Sequence, residues 1–269
     1  MTFKTLMLSA AIAVSLSACA TTTSPTGRNQ VIGVSESQLT QMGEQAFAQA
    51  KAKLPQSRDS RANAYVGCVV NSIVRQLPGQ WQQLRWEYAL FENPETNAWA
   101  LPGGKVGVYT GIFKAARNQD QLAGVIAHEI GHVVSRHHND RISRQQGAAT
   151  GIQILSAIVG ARYGQGVGNT VGQVAGLGAQ GLILLPNSRS QETEADVVGQ
   201  QLMAQAGYDP MGAVTLWQNM AASGGARAPE WLSTHPEPAS RLRELQQRAE
   251  GLRPTMEAAR RAGRTPRCQ

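Results

Sequence analysis

The feature that most constrains this chain is the stretch "VIAHEIGHVV", Val125–Val134. Leu122, Val125, Ile126, Ile130, Val133 and Val134 recur at helical spacing, which predicts an amphipathic helix with a buried stripe. Asn118 or Asp120 is placed to cap it. His128 and His132 stand four residues apart, so both imidazoles leave one face, one turn apart. At that spacing two ring nitrogens reach one zinc ion at about 2.0–2.1 Å. Glu129 leaves the helix at a different angle, too far round to join the ligand set but near enough to reach a metal-bound water. That is the HExxH pattern, with the Glu as general base. Gly131 costs about 1 kcal/mol relative to Ala inside a helix. Its place here predicts that another backbone or a substrate approaches closely. His137 and His138, beside Arg136 and Asn139, read as surface residues.

A catalytic zinc takes three protein ligands and keeps one position open. The fold must therefore carry a third donor to the His128–His132 face, and no His of suitable context follows within the next few turns. The better candidate lies in "QETEAD", where Glu192 and Asp196 are four apart on one predicted helical face. Ser188 and Gln191 are spaced as a capping box for that helix, and Gly207 stops it. Glu192 suits the third ligand position. Asp196 suits the acceptor for the free ring N–H of a ligand His, which fixes its tautomer. Taken alone, the pair would be an acidic first turn favoured by the helix dipole; beside an HExxH short of one ligand, the ligand role is favoured. Glu194 reads as an exposed carboxylate.

Other elements frame this site. Ser35 and Gln38 open one helix, and Ala62, Tyr65, Val66, Val69, Val70, Ile73, Val74 and Leu77 mark a second, stopped by Pro78 and Gly79. "LRWEYALFE" alternates as a strand, and "NAWALPGGKVGVYTG" predicts two more strands in a hairpin or small meander. Asp209 and Pro210 start a helix over "PMGAVTLWQNMAA", and a last helix runs through "ASRLRELQQRAEGL". Gly147 to Leu185 is crowded with Gly and Ala, but Gln153, Arg162, Gln165, Asn169 and Gln173 interrupt every window of spanning length. The expected fold is α+β, mainly helical with a small sheet.

The chain of 269 residues is 42% hydrophobic and 16% charged, enough for a packed core. Its net charge of +7 comes from scattered Arg residues, and with 5% aromatic residues and no nucleic-acid motif no nucleic-acid partner is expected. Residues 1–18 read as a secretory signal, with Lys4 before an apolar run. Leu16-Ser17-Ala18-Cys19 is similar to a bacterial lipobox, which predicts lipidation at Cys19. Ala20 rather than Asp follows it, which favours the outer membrane of a Gram-negative bacterium, facing the periplasm. Residues 19–34 are expected to form the lipidated end and a flexible tether, 35–252 the catalytic domain, and 253–269 a basic tail. In an oxidising compartment Cys68 and Cys268 could pair; separate thiols, one buried and one in a frayed tail, are the alternative.

"HEIGH", "SRSQETEAD" and "STHPEPASR" behind a lipobox resemble metallopeptidase family forty-eight, the family of the CAAX prenyl endopeptidases, in its periplasmic lipoprotein branch. The resemblance covers nearly all of the mature chain. It implies a gluzincin-like zincin domain holding one zinc ion, with His128, His132 and Glu192 as ligands, Glu129 as catalytic base and Asp196 behind the ligands. "NAWALPGG" is similar to the family segment that edges the cleft. His235 matches a loop His that in some periplasmic relatives approaches the zinc and blocks its open position. It would otherwise stabilise the oxyanion or shape a turn. Arg241 would orient that loop or the ligand shell. The implied function is a zinc endopeptidase acting on unfolded or misassembled envelope proteins. Two alternatives stand beside it: a chaperone or assembly factor for outer-membrane proteins with a latched zinc site, and a structural metal protein with His235 permanently bound.

Overall fold

The computed structural model describes residues 20–147, 149, 153, 188–223, 231, 235 and 239–268. The predicted signal, Cys19 and nearly all of the Gly- and Ala-rich stretch lie outside them. The chain divides into two compact units, Met1–Glu36 with His138–Leu185 and Ser37–His137 with Pro186–Gln269. Among the described residues, no helix is long and apolar enough to cross a membrane.

The larger unit is built on helices α1 (Glu36–Lys53), α2 (Ser60–Val74), α3 (Gln119–Val134), α4 (Arg189–Ala206), α5 (Met211–Ser223) and α6 (Ala239–Arg261). Its sheet has strands β3 (Glu87–Phe91), β4 (Ala98–Leu101) and β5 (Lys105–Tyr109). The architecture is α+β, as expected. Side chains cap several of these helices. The Asp59 carboxylate accepts the Arg61 and Ala62 N–H groups at the start of α2. Asn118 caps α3, while Asp120 instead accepts the Asp209 N–H. Ser188 and Gln191 form the capping box of α4, and Gly207, left-handed at φ 89°, closes it.

The β4–β5 hairpin is present, turning through Gly103 and Gly104 at φ 80° and 75°. The sheet is not a meander, however. Its order is β3-β5-β4, with β5 parallel to β3 and antiparallel to β4. The loop after β3 is tied to the far end of β5, where the Gly111 N–H donates to the Asn93 carbonyl and the Asn93 N–H to Thr110 Oγ1. The chain thus crosses the end of β5 and returns along its other edge. The outer edge of β3 is covered by a bridge between Gln56 and Phe91.

Helix α3 runs through the middle of this unit, against α2, α4, α5 and β4. The expected stripe is therefore a fully buried helix: every residue from Gln121 to Val134 is buried. Periodicity shows one apolar face, and four neighbours cover the rest. The last helix also exceeds its expected limit of residue 252. It continues through Pro254 to Arg261. Glu250, whose carbonyl would have received the missing N–H, is exposed, so that carbonyl is not left unpaired in the core. The expected basic tail is thus partly helix, and it ends on a buried Cys268 bonded to Cys68 of α2. Gln119 at the start of α3 holds this end on both sides, accepting the Cys268 N–H and donating to the Pro266 carbonyl.

In the smaller unit, the expected flexible tether carries an antiparallel hairpin, β1 (Ala20–Thr23) with β2 (Asn29–Ile32). Helical residues within 138–147 supply its partners. Asp140 accepts the Val31 N–H at 2.8 Å and Arg28 Nη1 at 2.9 Å. Ser143 accepts the Gly33 N–H, and Asn139 both accepts from and donates to the Val34 backbone. Polar composition suggested a loose segment because partners more than a hundred residues away leave no local signal.

Candidate active site

His128 and His132 leave α3 on the same side, as their spacing requires, with their Nε2 atoms 3.1 Å apart. From α4, the two Glu192 carboxylate oxygens lie 3.4 Å from the Nε2 atoms of His128 and His132. His235 completes the group. One donor atom from each of the four residues falls within 4.8 Å of all the others, and all four residues are buried. The two helices come this close because small residues line their crossing. A Cβ on Gly131 would stand 2.8 Å from the Ala195 carbonyl oxygen, and one on Gly199 3.0 Å from the His128 amide nitrogen. The close backbone approach expected at Gly131 is therefore that of α4.

Asp196, one turn beyond Glu192, holds His128 Nδ1 at 2.9 Å. Arg241 of α6 straddles both carboxylates. Its Nη1 lies 3.0 Å from Glu192, its Nε and Nη2 donate to Asp196, and its guanidinium sits 4.1 Å above the Trp217 ring. These contacts bias the charge states of the group. Burial pushes the Asp196 carboxyl up, but Arg241 and His128 outweigh it and hold it at about 2. Burial likewise pushes the His128 imidazolium down, while Asp196 and Glu192 raise it to about 9. His235, for which burial dominates, is lowered.

Glu129 faces the other side of the group. Trp231 Nε1 donates to its Oε1 at 2.6 Å, and His235 Nε2 stands 3.5 Å from the same oxygen. Trp231 and His235 act as one piece: the rings stack at 4.8 Å, and the His235 N–H donates to the Trp231 carbonyl.

Residues 60–249 match the model of peptidase family M48. The chain belongs to peptidase family M48. It is 37% identical over 61% of its length to mitochondrial metalloendopeptidase OMA1 of Schizosaccharomyces pombe, covering 47% of that protein. It is 33% identical over 80% of its length to the beta-barrel assembly-enhancing protease of Escherichia coli, covering 44% of that protein. The chain thus spans just under half the length of these curated relatives. M48 peptidases use zinc, and the residues fit that ion. Two imidazoles and a carboxylate suit its borderline character. A tetrahedral ion with ligand bonds of about 2.0–2.1 Å separates its donors by roughly 3.3–3.4 Å, close to the 3.1 and 3.4 Å found here. Both oxygens of Glu192 are buried and face the two His nitrogens, and one of them also meets Arg241 Nη1 at 3.0 Å, as a ligand backed by a cation would.

Every M48 site residue anticipated in the sequence lies in or against this group: His128, His132, Glu192 and His235 in it, Glu129, Asp196 and Arg241 around it. Four residues carried a different expectation or none. His137, expected at the surface, is buried with its Nδ1 2.7 Å from His132 Nδ1. Glu194, expected exposed, is buried with Oε2 3.0 Å from His137 Nε2. His138 is half-buried. Trp231 carried no expectation at all. The one local signal for Glu194 was its place in a helix that also buries Gln191, Ala195 and Gly199.

Proposed function

We propose that this M48 chain is a zinc-dependent endopeptidase that cleaves unfolded or misassembled proteins of the bacterial envelope. The observation that carries this is the Glu129 carboxylate beside the buried His128–His132–Glu192 group. When bound there, zinc supplies a Lewis acid and lowers the pKa of water toward about 7. Glu129 takes the proton of the attacking water and hands it to the leaving nitrogen. The Trp231 N–H on Oε1 leaves Oε2 of Glu129 to do so. Asp196 holds the ring of His128, and Arg241 holds Asp196 and Glu192 in register. Among the described residues β4 pairs only with β5, so its outer edge is available to an extended substrate. An edge of this kind selects unfolded segments, because a folded protein has none to lend.

The bacterial envelope is supported by the signal-like start, by the lipobox ending in Cys19 and by the Cys68–Cys268 bridge, which belongs to an oxidising compartment. On this reading residues 1–18 are removed and Cys19 anchors the chain in the outer membrane, facing the periplasm. Among the relatives, one is a bacterial protease named for beta-barrel assembly, which supports this reading, whereas OMA1 is named as mitochondrial.

A second reading rests on His235. Its ring lies among the candidate ligands, which supports a latched arrangement with His235 in the position a catalytic site leaves open. A chaperone or assembly factor would keep this latch; a peptidase must release it. The deciding experiment measures zinc content and casein digestion by the mature chain, Glu129→Gln and His235→Ala. We expect about one zinc per chain throughout, no cleavage by Glu129→Gln and faster cleavage by His235→Ala. Zinc without cleavage by any of the three would favour the chaperone.

A further inference from the structure

We infer that His137 and Glu194 are positioning residues for the M48 zinc site, holding His132 in the one tautomer that can bind the ion. The inference rests on the zinc reading above. His128 meets a carboxylate directly, since Asp196 touches its Nδ1. His132 does not. Its Nδ1 meets His137 Nδ1 at 2.7 Å, and His137 Nε2 meets Glu194 at 3.0 Å. All three residues are buried. The chain of contacts runs His132, His137, Glu194, with an imidazole inserted where the other ligand has a carboxylate.

The proton positions follow from the donor and acceptor inventory. A hydrogen bond between two ring nitrogens holds one proton. An ionised Glu194 is an acceptor only, so His137 Nε2 carries a proton. A neutral His137 then has a bare Nδ1, which accepts, and the shared proton sits on His132 Nδ1. That leaves the lone pair of His132 Nε2 facing His128 and Glu192, where a metal ligand must have it. Reversing the first bond would put a proton on His132 Nε2 and close that position to a cation. Glu194 therefore acts at a distance, through His137, on which nitrogen of His132 is free.

The backbone shows how His137 gets there. On an unbroken helix a residue five beyond His132 projects well away from it. Here α3 ends at Val134, Ser135 is its C-cap, and Arg136 adopts a left-handed φ of 56°. Few non-glycine residues do so. The reversal swings His137 back against the rear of His132. Glu194 projects from α4 nearly opposite Glu192 and meets His137 there, so α4 contributes a carboxylate to each side of the site.

The test uses zinc alone as probe, on the mature chain, with affinity from competition against a chelator. The zinc-loaded protein is also examined by NMR for the His132 Nδ1–H. His137→Phe removes the acceptor and keeps the bulk. His137→Asn restores an acceptor near the Nδ1 position, and Glu194→Gln weakens the far end. We expect zinc affinity to fall about 10–100-fold in His137→Phe, to recover most of that loss in His137→Asn, and to fall less in Glu194→Gln. The His132 Nδ1–H resonance should vanish in the first and shift in the others. Wild-type affinity in all three, or His137→Asn no better than His137→Phe, overturns the inference. Should His137→Phe fail to fold, an unchanged affinity and resonance in Glu194→Gln overturns it. A wild-type chain that binds no zinc would instead overturn the zinc reading itself.

Discussion

At the scale of single residues, this chain buries an ionic cluster that only a cation completes. Glu192 is a fully buried carboxylate whose charge is offset by His128 on one side and Arg241 on the other. Such a group is costly in isolation, so zinc should stabilise the fold as well as serve it. Removing zinc with a chelator is expected to lower the melting temperature, with recovery on adding zinc back; an unchanged transition would argue against a bound ion. Gly131 is the other residue-scale constraint. Alanine there gains about 1 kcal/mol in helix propensity, yet its Cβ would collide with the Ala195 carbonyl. Overpacking of this kind costs about 1–3 kcal/mol, and because the clash is with backbone the loss should prevail. Denaturant titration of Gly131→Ala should show net destabilisation and, since the crossing sets the distance from Glu192 to both His, weaker zinc binding.

At the scale of elements, two long-range ties hold segments that would otherwise fray. The Cys68–Cys268 bridge spans a sequence separation of 200 and fixes the C-terminal end onto α2 and the start of α3. Cys68→Ser should cost about 2–4 kcal/mol in global stability, read by denaturant titration under non-reducing conditions. The β1–β2 hairpin depends on Asp140. Burial pushes that carboxyl up, but the Val31 N–H, Arg144 and Arg28 outweigh it, so it lies below the usual 3.8. A depressed carboxyl stabilises above its ordinary value and loses that contribution as pH falls through the folded one. Asp140→Asn should therefore speed amide exchange at Val31 near neutral pH, and the difference from wild type should shrink below about pH 4.

For the whole molecule, the proposed lipidation at Cys19 would set where the proposed peptidase meets substrate. Cys19→Ser should move the chain from the membrane fraction to the soluble periplasmic fraction without changing casein cleavage by the mature domain. Fractionation followed by immunoblotting reads the outcome directly, and a variant that stays with the membrane would sink the anchor.

The sequence by itself determined what repeats locally: the helices and their caps, the strands, the HExxH spacing that aims two imidazoles the same way, and the i, i+4 pair that places Glu192 and Asp196 on one face. These are consequences of 3.6-residue and 2-residue periods, visible in any short window. The tertiary structure alone decided what depends on crossing and reversal. It placed β3 beside β5 rather than β4, buried all sides of α3, and carried the last helix past Pro254. It bonded Cys268 to Cys68 and turned the expected tether into a hairpin. It also buried His137 and Glu194, which looked like surface residues because nothing near Arg136 announces a left-handed turn. A side chain's partner across space has no period in sequence, so which polar residues end up behind the ligands is settled only when α3 and α4 pack.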